Sequence, residues 1–459
     1  VVSFTTHKTL AGPRGAVIIT HRSDVAGKVD RGVFPGEQGG PHVHAIAALA
    51  VSLRLAFTDQ FHELQRQTVK NAARLAERLA NRGIRIPYGG TNTHLLLIDC
   101  KSIVGADGTP LSGDMAARML DLVGIVANRN TIPGDPSAFR ASGVRLGTPW
   151  ITQRGFKEAE IDRLADIIAD VLCSAVPFSY TGRKRDEPRA KVNFDVLMSA
   201  KNAVRELAGS VGIDTDAGDE AYPHFYYLNE ADTSAYTLLI QDVDDNSAAA
   251  FLNTTLTSDV YALQPGQSQP TAALEADGSI MGRGVLEATG GGYLLRIENG
   301  QRVANWLRAL SDGFVLFDPT DPSAKAPGPV DVRIVGGADD LNASGAVYAD
   351  KAYFIGINGA NYAGQTGQPL PEFTWTEPEA GELKVTPVHS LHKELGGKMA
   401  PFAGYEMPLW YSSVTDEHQA VRQRAGIFDV THMGVFDIQG PGAAAFLDLV
   451  TTNDVPGLA

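Results

Sequence analysis

The sequence predicts an α/β fold over residues 1–178, followed by α+β modules through residue 459, on three observations. Short β-prone runs alternate with longer stretches of helical period through the first region. Downstream, one strand–turn–helix pattern occurs twice: Phe251 and Asp259 are answered by Phe446 and Asp454, each 195 residues later. A chain of 459 residues with 44% hydrophobic content supplies cores for roughly two to four such domains.

Taken in order, residues 1–6 and 15–20 read as strands flanking a turn that carries Lys8. Residues 44–57 and 59–83 read as helices. In the second, Leu64, Val69, Ala72, Leu75 and Leu79 recur near the helical period, and Gly83 suits the position just past a helix end. Residues 95–100 then read as strand, and 114–122 and 157–172 as helices, so that a two-layer small domain closes near residue 176. Residues 179–220 read as a linker, highly charged over 181–191 and carrying one amphipathic helix at 194–207.

The repeat aligns residues 242–263 with 437–458, and ten of those 22 positions are identical without a gap. The shared Ala-Ala-Ala-Phe-Leu run and the T-x-D-V tail decide against two unrelated Ala-rich helices. The first copy heads a module at 221–335, continued by a strand at 293–297 and an amphipathic helix at 302–310. A Pro- and Asp-rich loop follows at 319–329, and a linker at 336–383, rich in Gly, Asn and Gln over 356–371, leads to the second copy's module at 384–459.

Composition excludes several function classes. Net charge is −14, the pI is about 5.2, and the basic cluster Arg183-Lys184-Arg185 is diluted by Asp186 and Glu187, which argues against a nucleic-acid partner. No apolar run reaches membrane-spanning length and no signal peptide is present, so no membrane association is expected. Cys100 and Cys173 lie far apart, each in an apolar run, and are expected as buried free thiols in a reducing, cytoplasmic setting. No metal site is assigned. The chain starts at Val1 inside a motif, so it reads as a piece of a longer protein.

The chemistry concentrates at Val1-Val2-Ser3-Phe4-Thr5-Thr6-His7-Lys8-Thr9-Leu10-Ala11-Gly12-Pro13-Arg14-Gly15. A Lys among small hydroxyl residues, after a short strand and before a Gly-Pro turn, suits an amine that forms a Schiff base. Such an amine has to be held still and desolvated, so that its neutral form can attack an aldehyde. An isolated T-x-x-K is more often a surface turn, but four further motifs follow. They are Phe34-Pro35-Gly36-Glu37-Gln38-Gly39-Gly40-Pro41, Gly89-Gly90-Thr91-Asn92-Thr93-His94, Asn128-Arg129-Asn130-Thr131-Ile132-Pro133-Gly134-Asp135, and Ser142-Gly143-Val144-Arg145-Leu146-Gly147-Thr148-Pro149. In this order the five motifs resemble serine hydroxymethyltransferase, a fold-type I pyridoxal-phosphate enzyme, across about the first 180 residues.

That resemblance implies a set of roles. Lys8 would be the catalytic, cofactor-linking lysine. Thr5, Thr6, His7 and Arg14 would line pyridoxal 5'-phosphate. Gly39 and Gly40 would reach the cofactor phosphate of a neighbouring subunit, which implies a homodimer or a tetramer built from it. Arg145 would grip the substrate carboxylate, since its planar fork binds bidentately where Lys acts as a point charge. Asn130 would lie near tetrahydrofolate, the co-substrate that exchanges a one-carbon unit between serine and glycine. Phe4 departs from the expected run of threonines, which removes a polar role at that position.

The second copy carries another resemblance. Thr386-Pro387, Gly397-Lys398-Met399-Ala400-Pro401-Phe402-Ala403-Gly404-Tyr405-Glu406-Met407-Pro408, Glu417-His418 and Ala425-Gly426-Ile427-Phe428-Asp429-Val430-Thr431-His432-Met433-Gly434 are similar to the start of the glycine-cleavage T-protein, an aminomethyltransferase. The resemblance makes the strand around Met433 a wall of a folate channel and implies the glycine-cleavage H-protein as a partner. The module at 221–335 resembles a degenerate copy, with Gly282 and Arg283 where the family has paired acids, and is expected to do no transfer chemistry. Against this stand two other classes: another fold-type I enzyme such as an aldolase or aminotransferase, and a non-catalytic folate-binding scaffold.

Overall fold

In a computed structural model, the described residues are 1–181, 186–212, 226–243, 247–342, 344–349, 351, 353–359, 381–440, 443–451 and 455. The chain divides into two compact units, 1–366 and 367–459. Parts of several expected features lie outside the described residues: the first linker at 182–185 and 213–220, the start of the middle module at 221–225, the repeat at 244–246, 441–442, 452–454 and 456–458, and the second linker at 343, 350, 352 and 360–380.

The first unit opens on a hairpin, β1 (Val2–Thr5) against β2 (Ala16–Ile19), with Thr5 opposite Ala16. Helices α1 (Ser23–Arg31), α2 (Val43–Ala56) and α3 (Asp59–Asn81) follow. Thr58 caps α3 by accepting from the Phe61 amide, and Gly83 terminates it with φ +85°, as the pattern predicts. Next come β3 (Leu95–Asp99), α4 (Gly113–Leu122), β4 (Asn128–Asn130), β5 (Gly143–Gly147), α5 (Pro149–Gln153) and α6 (Glu158–Cys173). The strands form an antiparallel sheet in the order β3-β5-β4, and α3, α4 and α6 pack with it around Leu75, Leu79, Ile98, Met119, Val144 and Ile168. Apolar period alone explains these faces: each helix buries its i, i+3, i+4 stripe.

Helices α3 and α6 are also zipped by charge. Arg74 grips Asp162 through two bonds of 2.7 Å, Arg78 grips Asp166 at 2.9 and 3.1 Å, and Arg82 bridges Asp166 and Asp170. The four-residue spacing on both helices makes this ladder possible, and it requires them to run parallel.

Beyond α6 the structure departs from the expected linker. Strand β6 (Val176–Thr181) pairs antiparallel with β7 (Asp186–Lys191), and α7 (Phe194–Gly209) packs on α6. The density of charge over 181–191 hid a strand whose end runs into the core, where Ala190, Lys191 and Val192 are nearly inaccessible.

The middle module is a five-stranded antiparallel sheet in the order β12-β8-β11-β10-β9, built from β8 (Tyr236–Asp242), β9 (Ser268–Leu274), β10 (Ile280–Thr289), β11 (Gly292–Ile297) and β12 (Val330–Gly337). Helices α8 (Ser247–Thr255) and α9 (Gly300–Asp312) pack with it. The module is fastened directly to the preceding region. Val192 bridges Val315 and exchanges backbone bonds with Phe314 and Leu316 at 2.9 and 3.0 Å, Phe194 meets Trp306 edge to face at 5.1 Å, and Arg302 pairs with Asp195 at 2.7 Å. One continuous apolar cluster runs from Leu75 to Ile355.

The second unit holds α10 (His389–Glu394), the hairpin β13 (Met399–Phe402) with β14 (Tyr405–Pro408), α11 (Val414–Gln423) and α12 (Ala443–Val450). The strand expected around Met433 is not formed; Met433 sits in a turn, its amide donating to Val430 O at 2.9 Å. The reason is visible in the other copy. Leu238 and Ile240, the repeat equivalents of Met433 and Val435, are fully buried because β11 and β12 flank β8, whereas Met433 is 63% and Val435 97% exposed.

Among the described residues no helix is long and apolar enough to cross a membrane. Cys100 is buried, and burial pushes its thiol up to about 12. Cys173, expected buried, is exposed, because it ends α6 beside Arg82 O rather than on the helix's apolar face.

Candidate functional site

Lys8 sits in the turn between β1 and β2, and the turn is held by its neighbours. Thr6 is buried; its hydroxyl donates to Pro13 O at 2.6 Å, its amide to Gly15 O at 3.0 Å, and its carbonyl accepts from the Gly12 amide at 2.8 Å. Lys8 O accepts from the Ala11 amide at 2.9 Å, and the His7 ring lies 3.4 Å from Gly15 O. A Cβ at Gly12 would stand 2.8 Å from Thr6 O and 2.9 Å from Ser52 Oγ, so only glycine allows this closure. Two further bonds moor the turn to the helices behind it: Ser52 Oγ donates to Leu10 O at 3.1 Å, and Gln65 Nε2 to Thr9 O at 3.4 Å.

The lysine is therefore fixed at its backbone, as the sequence requires, but it is not desolvated. Lys8, Thr5 and Arg14 are exposed, and among the described residues no hydrogen bond or ion pair engages the Lys8 ammonium. Val1, Val2, Phe4, Ile18 and Ile19 of the same hairpin are exposed as well, left uncovered by the described residues.

Arg145 lies mid-strand on β5, opposite Leu97 on one side and Asn128 on the other, with its side chain exposed and without an ion pair among the described residues. Asn130 is opposite Gly143 at the end of β4, and its amide donates to Thr131 O at 2.7 Å. Sequence reasoning named both residues as candidates and missed the carboxylate that joins their two motifs. Asp135 accepts from the Ile132 and Ser142 amides, each at 2.9 Å, and from the Ser142 hydroxyl, which in turn accepts from Lys101 Nζ at 2.7 Å. The last residue of one motif is thus stapled to the first residue of the next. Gly143 permits the close approach, since a Cβ there would stand 2.4 Å from an Ile132 methyl. The signal was present as the Asp of N-x-N-x-x-P-x-D and the Ser of S-G-V-R, but neither carries obvious chemistry.

The two groups are linked through α3. Thr148 Oγ1, just past β5, donates to Thr68 O at 2.7 Å, one helical turn from Gln65 and the lysine turn. Gly39 and Gly40 lie on an exposed stretch where nothing of this chain comes within 4 Å of an added Cβ. Met433 belongs to the other unit.

In that second unit one buried cluster stands out. His392 Nε2 meets Asp429 Oδ2 at 2.8 Å and His392 Nδ1 meets the Tyr411 hydroxyl at 2.6 Å. Hydrogen bonding from His392, then from Thr431, holds the Asp429 carboxyl well below the usual carboxylate range. The ring ties α10 to the loop after β14 and to the I-F-D-V motif.

Two families of known proteins match parts of this chain. The serine hydroxymethyltransferase family matches residues 1–168, and the GCVT N-terminal domain matches 388–459. Serine hydroxymethyltransferase of Bombyx mori is 47% identical over 181 residues, which is 37% of this chain and 38% of that protein. The chain thus spans well under half of this relative's length. Its start is thus similar to the serine hydroxymethyltransferase family over residues 1–168, and its end to the GCVT N-terminal domain over 388–459.

Proposed function

We propose that the first 178 residues supply the lysine, the substrate-carboxylate grip and the folate side of a pyridoxal-phosphate site for hydroxymethyl transfer between serine and glycine. The observation that carries this is the Lys8 turn, a free ammonium on backbone moored at Thr6, Gly12, Ser52 and Gln65. That geometry fits the cofactor: a rigid hairpin presents one unengaged amine beside Thr5, Thr6, His7 and Arg14. Pyridoxal phosphate, when bound, supplies an aldehyde for that amine and an electron sink for the amino acid. Arg145 orients the substrate by two parallel bonds to its carboxylate, Asn130 faces the folate, and Arg14 adds positive charge at the cofactor end. Lys8 meets its aldehyde best in neutral form, which requires the cover that the described residues leave off the turn. Gly39 and Gly40 fit a loop whose backbone amides approach a phosphate on a partner subunit.

The middle module is a structural element without transfer chemistry. Position 282 has no room for an acid, since a Cβ there would stand 2.4 Å from Glu298 O, and Arg283 is exposed with its amide on the Glu298 carboxylate at 3.2 Å. Residues 384–459 belong to an aminomethyltransferase-like part, so both ends of the chain handle folate and glycine.

Stoichiometric pyridoxal phosphate, borohydride reduction and peptide mapping test the reading. The reduced label is expected on Lys8, and a label on any other lysine contradicts it.

A further inference from the structure

A cavity lies where the middle module meets the first region, and the proposed transfer chemistry makes no use of it. Its volume is about 350 Å³, and its walls come from α4, the paired strands β6 and β7 and the loop after α9. Arg118, Arg189, Lys191 and Lys325 line it against two carboxylates, Asp114 and Asp312, with the rings of Phe178, Tyr180 and Phe314 between them. The cations are not equivalent. Arg118 is held by Asp114 at 2.9 Å and Arg189 by Glu187 at 2.7 Å. Lys325 is exposed and has no hydrogen bond or ion pair among the described residues.

Lys191 is the informative one. It is only 2% exposed, yet among the described residues its ammonium donates to a single acceptor, Ala324 O, and rests 4.9 Å from the centre of the Phe317 ring. An ammonium has three donors, and a buried one left partly unengaged is costly unless an anion completes it. Loss of hydration and the neighbouring Lys325 draw it down to about 8. Nothing in the packing requires a lysine here, since the adjacent Ala190 and Val192 meet the same core with apolar side chains.

We propose that this cavity is a binding site for a small organic polyanion carrying two or more carboxylate or phosphate groups, held between Lys191 and Lys325 with its carbon frame against Phe178 and Phe314. Because its walls belong to both regions, a bound anion clamps the middle module onto the first region.

Isothermal titration of the full chain with inorganic phosphate and with tricarballylate, a tricarboxylate, tests this. Saturable binding that weakens as salt is added, and that Lys325→Gln and Lys191→Gln each weaken by roughly fivefold or more, is the expected result. The tighter of the two probes identifies phosphate or carboxylate as the preferred group. Lys325 is at the surface, so Lys325→Gln reports even where Lys191→Gln folds poorly. No saturation by about 10 mM of either probe, or equal affinity in Lys325→Gln, overturns the proposal.

Discussion

Arg145 shows how much one residue's chemistry depends on its backbone. Its guanidinium is free to grip a ligand because β5 is paired on both edges and stapled through Ser142 to Asp135. Arg145→Lys in the protein that carries this chain should therefore keep the fold and lose serine affinity by roughly tenfold or more, since the bidentate geometry is gone while the charge remains. Serine titration of the holo-protein measures it, and an unchanged dissociation constant removes Arg145 from the site. Lys8 and Arg145 stood out in the sequence as candidates because their neighbours form specific runs. Asp135 was not, because a carboxylate that accepts backbone amides looks like any loop aspartate until the fold closes. His392 and Asp429 escaped for the same reason, being 37 residues apart. Their pairing carries a pH prediction. The folded Asp429 stays ionised below its ordinary value of 3.8, so the unfolded chain takes up the proton first as pH falls. The pair's stabilising effect is present above about pH 4 and drains away below it. Asp429→Asn should flatten the acid limb of unfolding followed by circular dichroism, and an unaltered acid limb means that the pair contributes nothing.

At the level of elements, periodicity found the helices and most strands but not their partners. The repeat of 242–263 in 437–458 predicts a strand before each Ala-Phe-Leu helix, and only the first copy has one. A strand exists only where neighbours complete its ladder, and β8 gains that from β11 and β12, which lie 50 to 100 residues downstream. The supposed linker failed in the opposite sense. Its strand β7 ends on the buried Lys191, and Val192 and Phe194 carry the chain into the core. Trp306 anchors that junction at 1% exposure against Phe194. Trp306→Ala should cost about 3–5 kcal/mol, and because the core is continuous the loss should lower one shared transition of residues 1–342. Calorimetry showing an unaffected transition for the first region would mean that the two parts unfold independently.

For the whole molecule, composition was a fair guide to class and a poor one to assembly. The acidic balance and the absence of a long apolar helix among the described residues are visible directly, whereas the continuous core from Leu75 to Ile355 is not. That core encloses lysines, which sets a second pH dependence. Burial pulls Lys201 and Lys351 from 10.5 to about 7; Lys201 stacks 3.5 Å over Tyr226, and Lys351 donates to Asn253 O, Leu256 O and Ser258 O within 2.8 Å. Between about pH 7 and 10 the unfolded chain binds more protons than the folded one, so stability should rise with pH across that window. Urea midpoints at pH 7 and 9 measure this, and Lys201→Met should reduce the rise; a midpoint that falls, or a rise the variant leaves intact, contradicts the assignment. The central claim is that Lys8 is the amine through which this chain takes part in hydroxymethyl transfer. Its most direct test follows the labelled hydroxymethyl carbon of serine into tetrahydrofolate, in the protein that carries this chain and in its Lys8→Ala variant. Transfer by the parent and none by a folded variant is the predicted result, and transfer at the parent's rate by Lys8→Ala would contradict it.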